Sequence, residues 1–182
     1  MVRFTFLGTG GSFGTPVLAC DCPSCVSADP RDQRWRSSAL LEWDGHVVLI
    51  DAGPDFRAQA LKHRIRSLDS VWFTHAHADH TGGVDDLRPF CFGGRTLEVR
   101  GLAEVLQDIR SRAPYAFRDT PHPSGVSHPM LVENPIDGPF EHGGRTIVPL
   151  PAWHGTAAIL GFRVGGLAYL TDVSEIPEAT YR

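Results

Sequence analysis

Thr74-His75-Ala76-His77-Ala78-Asp79-His80 places three imidazoles and a carboxylate within six residues, directly after the apolar run Val71-Trp72-Phe73. Side chains two apart in an extended chain point the same way, so His75 and His77 can converge on one ion. On a helix they would lie on nearly opposite faces, unlike the four-residue spacing of helical zinc motifs. A strand running out into a loop is therefore the expected setting. Asp79 and His80, just past the turn, can address a second ion. Ala76 and Ala78 are small and Gly82-Gly83 follow, leaving the backbone free to curl. Imidazole suits zinc, iron and nickel, and carboxylate admits harder ions such as manganese. A histidine-rich surface loop is the bland alternative, and four donors so close together argue against it.

The elements that must carry this stretch can be read on either side of it. Arg3 to Leu7 alternates as a strand and breaks at Gly8-Thr9-Gly10-Gly11-Ser12. Phe13 stands where the third glycine of a dinucleotide fingerprint belongs, so that turn is read as structural, with phosphate contact through its amides and Ser12 as a second role. Ser37 to Trp43 and His46 to Asp51 read as strands joined at Asp44-Gly45, an ordinary hairpin signal. Asp51 ends the second strand, where it either caps the turn or supports a metal ligand from behind. A helix is expected from Pro54 to His63. A short helix stopped by Pro89, a strand at Thr96 to Gly101 and a helix at Ala103 to Arg112 follow. Ala113 to Gly144 has little periodicity and is expected to be a long loop or lid beside the site. Its His122, His128 and His142 are read as solvated and not as ligands. Thr146 to Leu150, Ala158 to Val164 and Leu167 to Thr171 read as strands, the last two a hairpin over Gly165-Gly166. His154 and Asp172 each follow an apolar strand, and no internal repeat is visible.

His75-x-His77-x-Asp79-His80 after a short apolar strand resembles the metal motif of the metallo-β-lactamase superfamily. The resemblance implies an α/β architecture, the αββα sandwich, with a two-metal hydrolytic site at one edge. It implies that His75, His77 and His154 hold one divalent ion, that Asp79 and His80 help hold a second, and that Asp172 bridges them, with Asp51 supporting from behind. The superfamily usually places another histidine beyond the position of Asp172, and none follows His154 here. Pro177 to Arg182 reads as a helix start that stops after one turn, so the chain is expected to end before the fold is complete.

Cys20-Asp21-Cys22-Pro23-Ser24-Cys25 puts three thiols in six residues, enough to wrap a tetrahedral zinc if a fourth ligand is found. Cys91 is a candidate for that place, although Arg88-Pro89-Phe90-Cys91-Phe92 looks like core. Together with the glycine turn and Asp85-Asp86-Leu87-Arg88-Pro89-Phe90, this cluster resembles the branch that contains the phosphoribosyl cyclic phosphate phosphodiesterases of the carbon–phosphorus lyase pathway. There the cysteines hold a structural zinc completed by a late histidine, which this chain lacks.

The implied function is a metal-dependent phosphodiesterase acting on a small cyclic or nucleotide-like phosphate, with zinc or manganese at its centre. Asp79 would orient the attacking water. Arg34, Arg36 and Arg88 are candidates for gripping a substrate phosphate, since arginine pairs bidentately with phosphate oxygens; surface ion pairing is the competing role for each. Two alternatives follow from the same resemblance: a nuclease of the type that trims tRNA 3′ ends, and a catalytically silent metal-binding relative of proteins in pyrroloquinoline quinone biosynthesis.

Composition bounds the rest. The 182 residues suit one domain, spanning 1–182, and the apolar and charged fractions are those of an ordinary globular chain. A net charge of −4 argues against a broad nucleic-acid surface, and Lys62 is the only lysine. No apolar run reaches the length of a membrane span, and the first residues read as a strand and not as a secretory signal, so a cytoplasmic location is expected. A homodimer is a candidate assembly that the sequence does not fix.

Overall fold

In the computed structural model, residues 1–118 and 128–181 are described. They form two β-sheets. The first has six strands in sequence order: β1 (Arg3–Gly8), β2 (Ser38–Trp43), β3 (His46–Ile50), β4 (Ser70–Trp72), β5 (Leu97–Gly101) and β6 (Leu131–Pro135). β1, β2 and β3 pair antiparallel, and β3 through β6 pair parallel. The second sheet runs β10-β9-β8-β7, with β7 (Phe140–His142), β8 (Arg145–His154), β9 (Ala157–Val164) and β10 (Leu167–Tyr169), all antiparallel.

Period-two alternation builds two cores from the same strands. Leu40, Leu49 and Val71 face one way, against Phe56 of α1 (Phe56–His63) and Val105, Leu106 and Ile109 of α3 (Ala103–Arg112). Ala39, Leu41, Trp43, Val48, Ile50 and Trp72 face the other way, against Ile147, Leu160, Phe162 and Val164 of the second sheet. Burial on both faces explains why β3 and β4 read as continuous apolar runs. The layers are helix, sheet, sheet, with the 3₁₀ turn Glu178–Tyr181 tied to β8 through the Thr180 hydroxyl, which donates to the Pro151 carbonyl at 2.6 Å.

Four expectations need correcting. The segment from Ala113 to Gly144 is not a structureless loop: it holds a 3₁₀ turn at Pro114–Phe117 and strands β6 and β7, with residues 119–127, and His122 among them, outside the described residues. Strand β6 hides because its buried neighbours lie in β5 and α3, not in its own sequence. Strand β8 does not end at Leu150 but runs to His154, through Pro149 and Pro151. β7 covers only Arg145 to Ile147, so one edge of β8 is unpaired with it beyond that point, where a missing N–H costs little. Pro89 lies inside the 3₁₀ segment Val84–Cys91 instead of stopping it. His142 is not solvated either: its Nδ1 lies 3.5 Å from Glu98, and its ring packs on Trp43 and Trp72.

In the parallel half of the first sheet, β3 and β4 end side by side, and their carboxyl ends deliver Asp51 and the Thr74–His80 stretch to one edge. Ligands of open α/β sheets bind at such ends. The Leu160 amide of β9 donates to the Thr74 carbonyl at 2.9 Å, joining the second sheet to the first at this edge. Among the described residues, no helix is long and apolar enough to cross a membrane.

Candidate metal centre

Thr74 and His75 leave β4 fully buried, and His77 caps the four-residue helix α2 (Ala78–Thr81). The amides of His80 and Thr81 donate to the His77 carbonyl at 3.0 and 3.1 Å, turning Asp79 and His80 back toward β3. Two glycines allow that turn to lie close. A Cβ on Gly53 would stand 2.0 Å from the Asp79 carbonyl oxygen, and one on Gly83 would stand 2.1 Å from the Gly53 oxygen.

A buried network fixes the imidazoles. Asp51 accepts the Thr74 amide on Oδ1 and the Thr74 hydroxyl on Oδ2, each at 2.8 Å, and Oδ2 also lies 2.7 Å from Nδ1 of His80. The Thr74 hydroxyl has spent its proton on Asp51, so it accepts from Nδ1–H of His75 at 2.9 Å. Nε2 of His75 is then a bare lone pair, and it faces Nδ1 of His77 at 3.1 Å. Nε2 of His80 points at Asp172 (2.8 Å) and Asp79 (3.3 Å). Asp51 and Asp172 both sit in the left-handed region, at φ 62° and 53°, where a short polar side chain is tolerated.

Two donor groups result. His75, His77 and His154 form one, and His75, His80 and Asp172 form the other, with ligand atoms in each within 4.8 Å of one another. The structure thus brings together His75, His77, Asp79, His80, His154 and Asp172, from three separate stretches of chain, with Asp51 from a fourth directly behind. Trp153 and Glu175 exchange backbone hydrogen bonds, and the Ser174 hydroxyl accepts the Gly155 amide at 2.8 Å, which ties the Asp172 loop to the end of β8.

The electrostatics suit cation binding. Burial, aided by neighbouring His80, pushes His75 down to about 4, so it is neutral at physiological pH. Burial opposes charge on His80 too, but hydrogen bonds to Asp172 and Asp51 raise it to about 10. The same bond to His80 holds Asp172 down at about 2. A lone-pair nitrogen facing another ring nitrogen, and carboxylates gathered around an imidazole, are a donor set that divalent zinc or manganese would satisfy.

Thr74 was not singled out in the sequence, although it orients His75. Its signal is weak: a hydroxyl directly before the first histidine.

The other candidates lie elsewhere. Cys20, Cys22 and Cys25 bring their sulfurs within 4.8 Å of one another, and no fourth histidine, cysteine or carboxylate joins them among the described residues. The Cys25 amide and the neighbouring thiols lower the Cys22 thiol below its ordinary value. Cys91 is not the missing ligand: it is buried in the helix-side core, its thiol directed at the Leu87 and Met130 carbonyls. Arg36 pairs with Asp55 at 3.2 Å and donates to the Ser12 carbonyl, Arg34 donates to Thr9, and Arg88 pairs with Asp85. None of these three arginines is in hydrogen-bond contact with the histidines. The glycine turn presses on the same segment: a Cβ on Gly8 would lie 2.0 Å from the Arg36 carbonyl oxygen.

Comparison with known proteins agrees with this geometry. The β-lactamase superfamily domain matches residues 46–182. A diphosphatase from the PhnP family has a crystal structure 36% identical in sequence, with a TM-score of 0.89 over 99% of this chain and 69% of that one. An octanoyltransferase of Porphyromonas gingivalis (strain ATCC BAA-308 / W83) is 45% identical over 96% of this chain and 35% of its own length. A ribonuclease Z of Methanosarcina acetivorans is 32% identical over 83% of this chain and 55% of its own length. The chain thus spans between about a third and just over half the length of these curated relatives. From the matched domain, the PhnP-type structural likeness and the histidine–aspartate edge together, the chain belongs to the metallo-β-lactamase superfamily, as a member of the PhnP type.

Proposed function

We propose that this chain is a metal-dependent hydrolase of phosphodiesters, acting on a small cyclic or nucleotide-like phosphate. The observation that carries the reading is the pair of donor groups sharing His75, backed by Asp51 through Thr74 and His80. His75, His77 and His154 would hold one divalent cation, and His80, Asp79 and Asp172 a second, with Asp172 near enough to both groups to bridge them. Zinc or manganese held there would supply Lewis acidity and bring the ionisation of water into the neutral range. Asp79, part-buried beside His80, would accept a proton from the attacking water and hold its orientation. Nδ1 of His80 faces Asp51 and Nδ1 of His75 faces the Thr74 hydroxyl, so both Nε2 atoms face the centre.

Support for phosphate chemistry comes from relatives that include a PhnP-family diphosphatase and a ribonuclease Z. The matched octanoyltransferase shares only about a third of its length with this chain, and acyl transfer is not carried over. A structural zinc on Cys20, Cys22 and Cys25 is part of the same proposal, as is phosphate contact by Ser12, Arg34, Arg36 or Arg88. The decisive experiment is steady-state hydrolysis of bis(p-nitrophenyl) phosphate by chelator-treated protein with zinc or manganese restored. Metal-dependent turnover supports the reading; two bound ions with no turnover on diesters would leave a silent metal-binding protein. The ribonuclease Z relative keeps a second reading in play, tRNA 3′-end cleavage, and processing of a precursor tRNA in preference to small diesters would establish it.

A further inference from the structure

Of the three histidines at 75, 77 and 80, His77 is the exposed one. Its ring meets those of His75 and His154, but none of the bonds from Asp51 holds the His77 backbone. Something else must hold it. The guanidinium of Arg112, at the end of α3, reaches across to the metal loop. Nη2 donates to the Ala76 carbonyl at 2.6 Å, and Nη1 donates to the Thr81 hydroxyl at 3.1 Å. The Thr81 hydroxyl in turn donates to the His77 carbonyl at 3.0 Å. One planar fork therefore grips the peptide groups on both sides of His77. Asp108, one helical turn earlier, pairs with the same guanidinium and fixes its orientation.

We infer that Arg112 is a positioning residue for His77, holding that ligand to the centre from the outer helix layer. The inference rests on the metal-centre reading above. An i,i+4 pair on an exposed helix contributes little by itself. The contacts to the loop are different, because they span 36 and 31 residues of chain and end on the peptide before His77 and on the hydroxyl that grips the His77 carbonyl. Lysine could make one of these bonds but not the fork.

The test is a titration of metal-free protein with cobalt(II), following its d–d absorption while the near-ultraviolet thiolate charge-transfer band gauges, for subtraction, any cobalt held by Cys20, Cys22 and Cys25. Arg112→Ala is expected to weaken cobalt binding at the histidine site roughly tenfold, the low end for a group that orients a ligand. The band should also change intensity, and kcat on a small diester should fall at saturating metal with KM little changed. Arg112→Lys should recover part of the affinity. Thr81→Val, which removes only the hydroxyl link, should lose about threefold, and it decides the matter if Arg112→Ala fails to fold. Unchanged affinity and spectrum in folded Arg112→Ala or in Thr81→Val would overturn the inference. A wild type that binds no cobalt at its histidines would instead overturn the centre, and the inference with it.

Discussion

Asp51 and His80, 29 residues apart in sequence, meet at 2.7 Å with both side chains closed off from solvent. The carboxylate faces away from the centre and the imidazole faces into it, so Asp51 acts on any ligand only through His80 and Thr74. Replacing Asp51 with Ala should therefore leave each direct ligand present and still weaken metal binding 10- to 100-fold. Isothermal titration of the metal-free protein measures this, and an affinity within twofold of wild type would remove Asp51 from the centre.

His154 comes from β8, in the other sheet, and completes the group with His75 and His77. His154→Ala is expected to remove about one equivalent of metal, with turnover down at least ~100-fold, because a two-metal site depends on both cations. Elemental analysis after gel filtration gives the count. Unchanged stoichiometry would count against His154 as a ligand.

Gly53 lets the β3 loop lie directly on the Asp79 carbonyl. Gly53→Ala must push the metal loop away, and overpacking of this kind costs about 1–3 kcal/mol. Urea unfolding of metal-free protein isolates that cost, and a midpoint equal to wild type would show that the loop gives way freely.

At the other end of the sandwich, Glu98 lies between His142, Arg100 and Asn134. Burial works against its charge, but hydrogen bonds from His142, Arg100 and Asn134 hold its carboxyl well below the usual range. A depressed carboxylate stabilises the fold above its unfolded value, about 4.3, and that contribution is lost as pH falls below it. Melting temperature should therefore drop between pH 5 and 3 more steeply in wild type than in Glu98→Gln. Parallel curves would show that Glu98 carries none of the acid sensitivity.

The histidine motif was legible because its chemistry is local: His75, His77, Asp79 and His80 lie within six residues, and two-residue spacing at a strand end is a geometric statement. Hairpins with glycine at positive φ, such as Asp44-Gly45 and Gly165-Gly166, were legible for the same reason. The pairing of His154 and Asp172 with that motif was not a local signal; it came from resemblance, since nothing in β8 or β10 alone says which histidine faces the other sheet. Strands β6 and β7 were missed because their sequences alternate poorly and their stability comes from neighbours distant in the chain. The roles of Thr74 and Arg112 depend on where a hydroxyl and a guanidinium end up after folding, and residue type does not carry that information.

The amide of Leu160 donates to the Thr74 carbonyl, one stitch between sheets at the edge where the histidines converge. Cations gripped by His154 on one side and His75 and His77 on the other would be a second fastening across the same seam. Occupancy and the docking of the two halves would then draw on one free energy, so metal supply would govern the lifetime of the folded chain. Starving a cell of the ion would show first as faster proteolysis of the β8–β9 hairpin, ahead of any change in the helix-backed sheet.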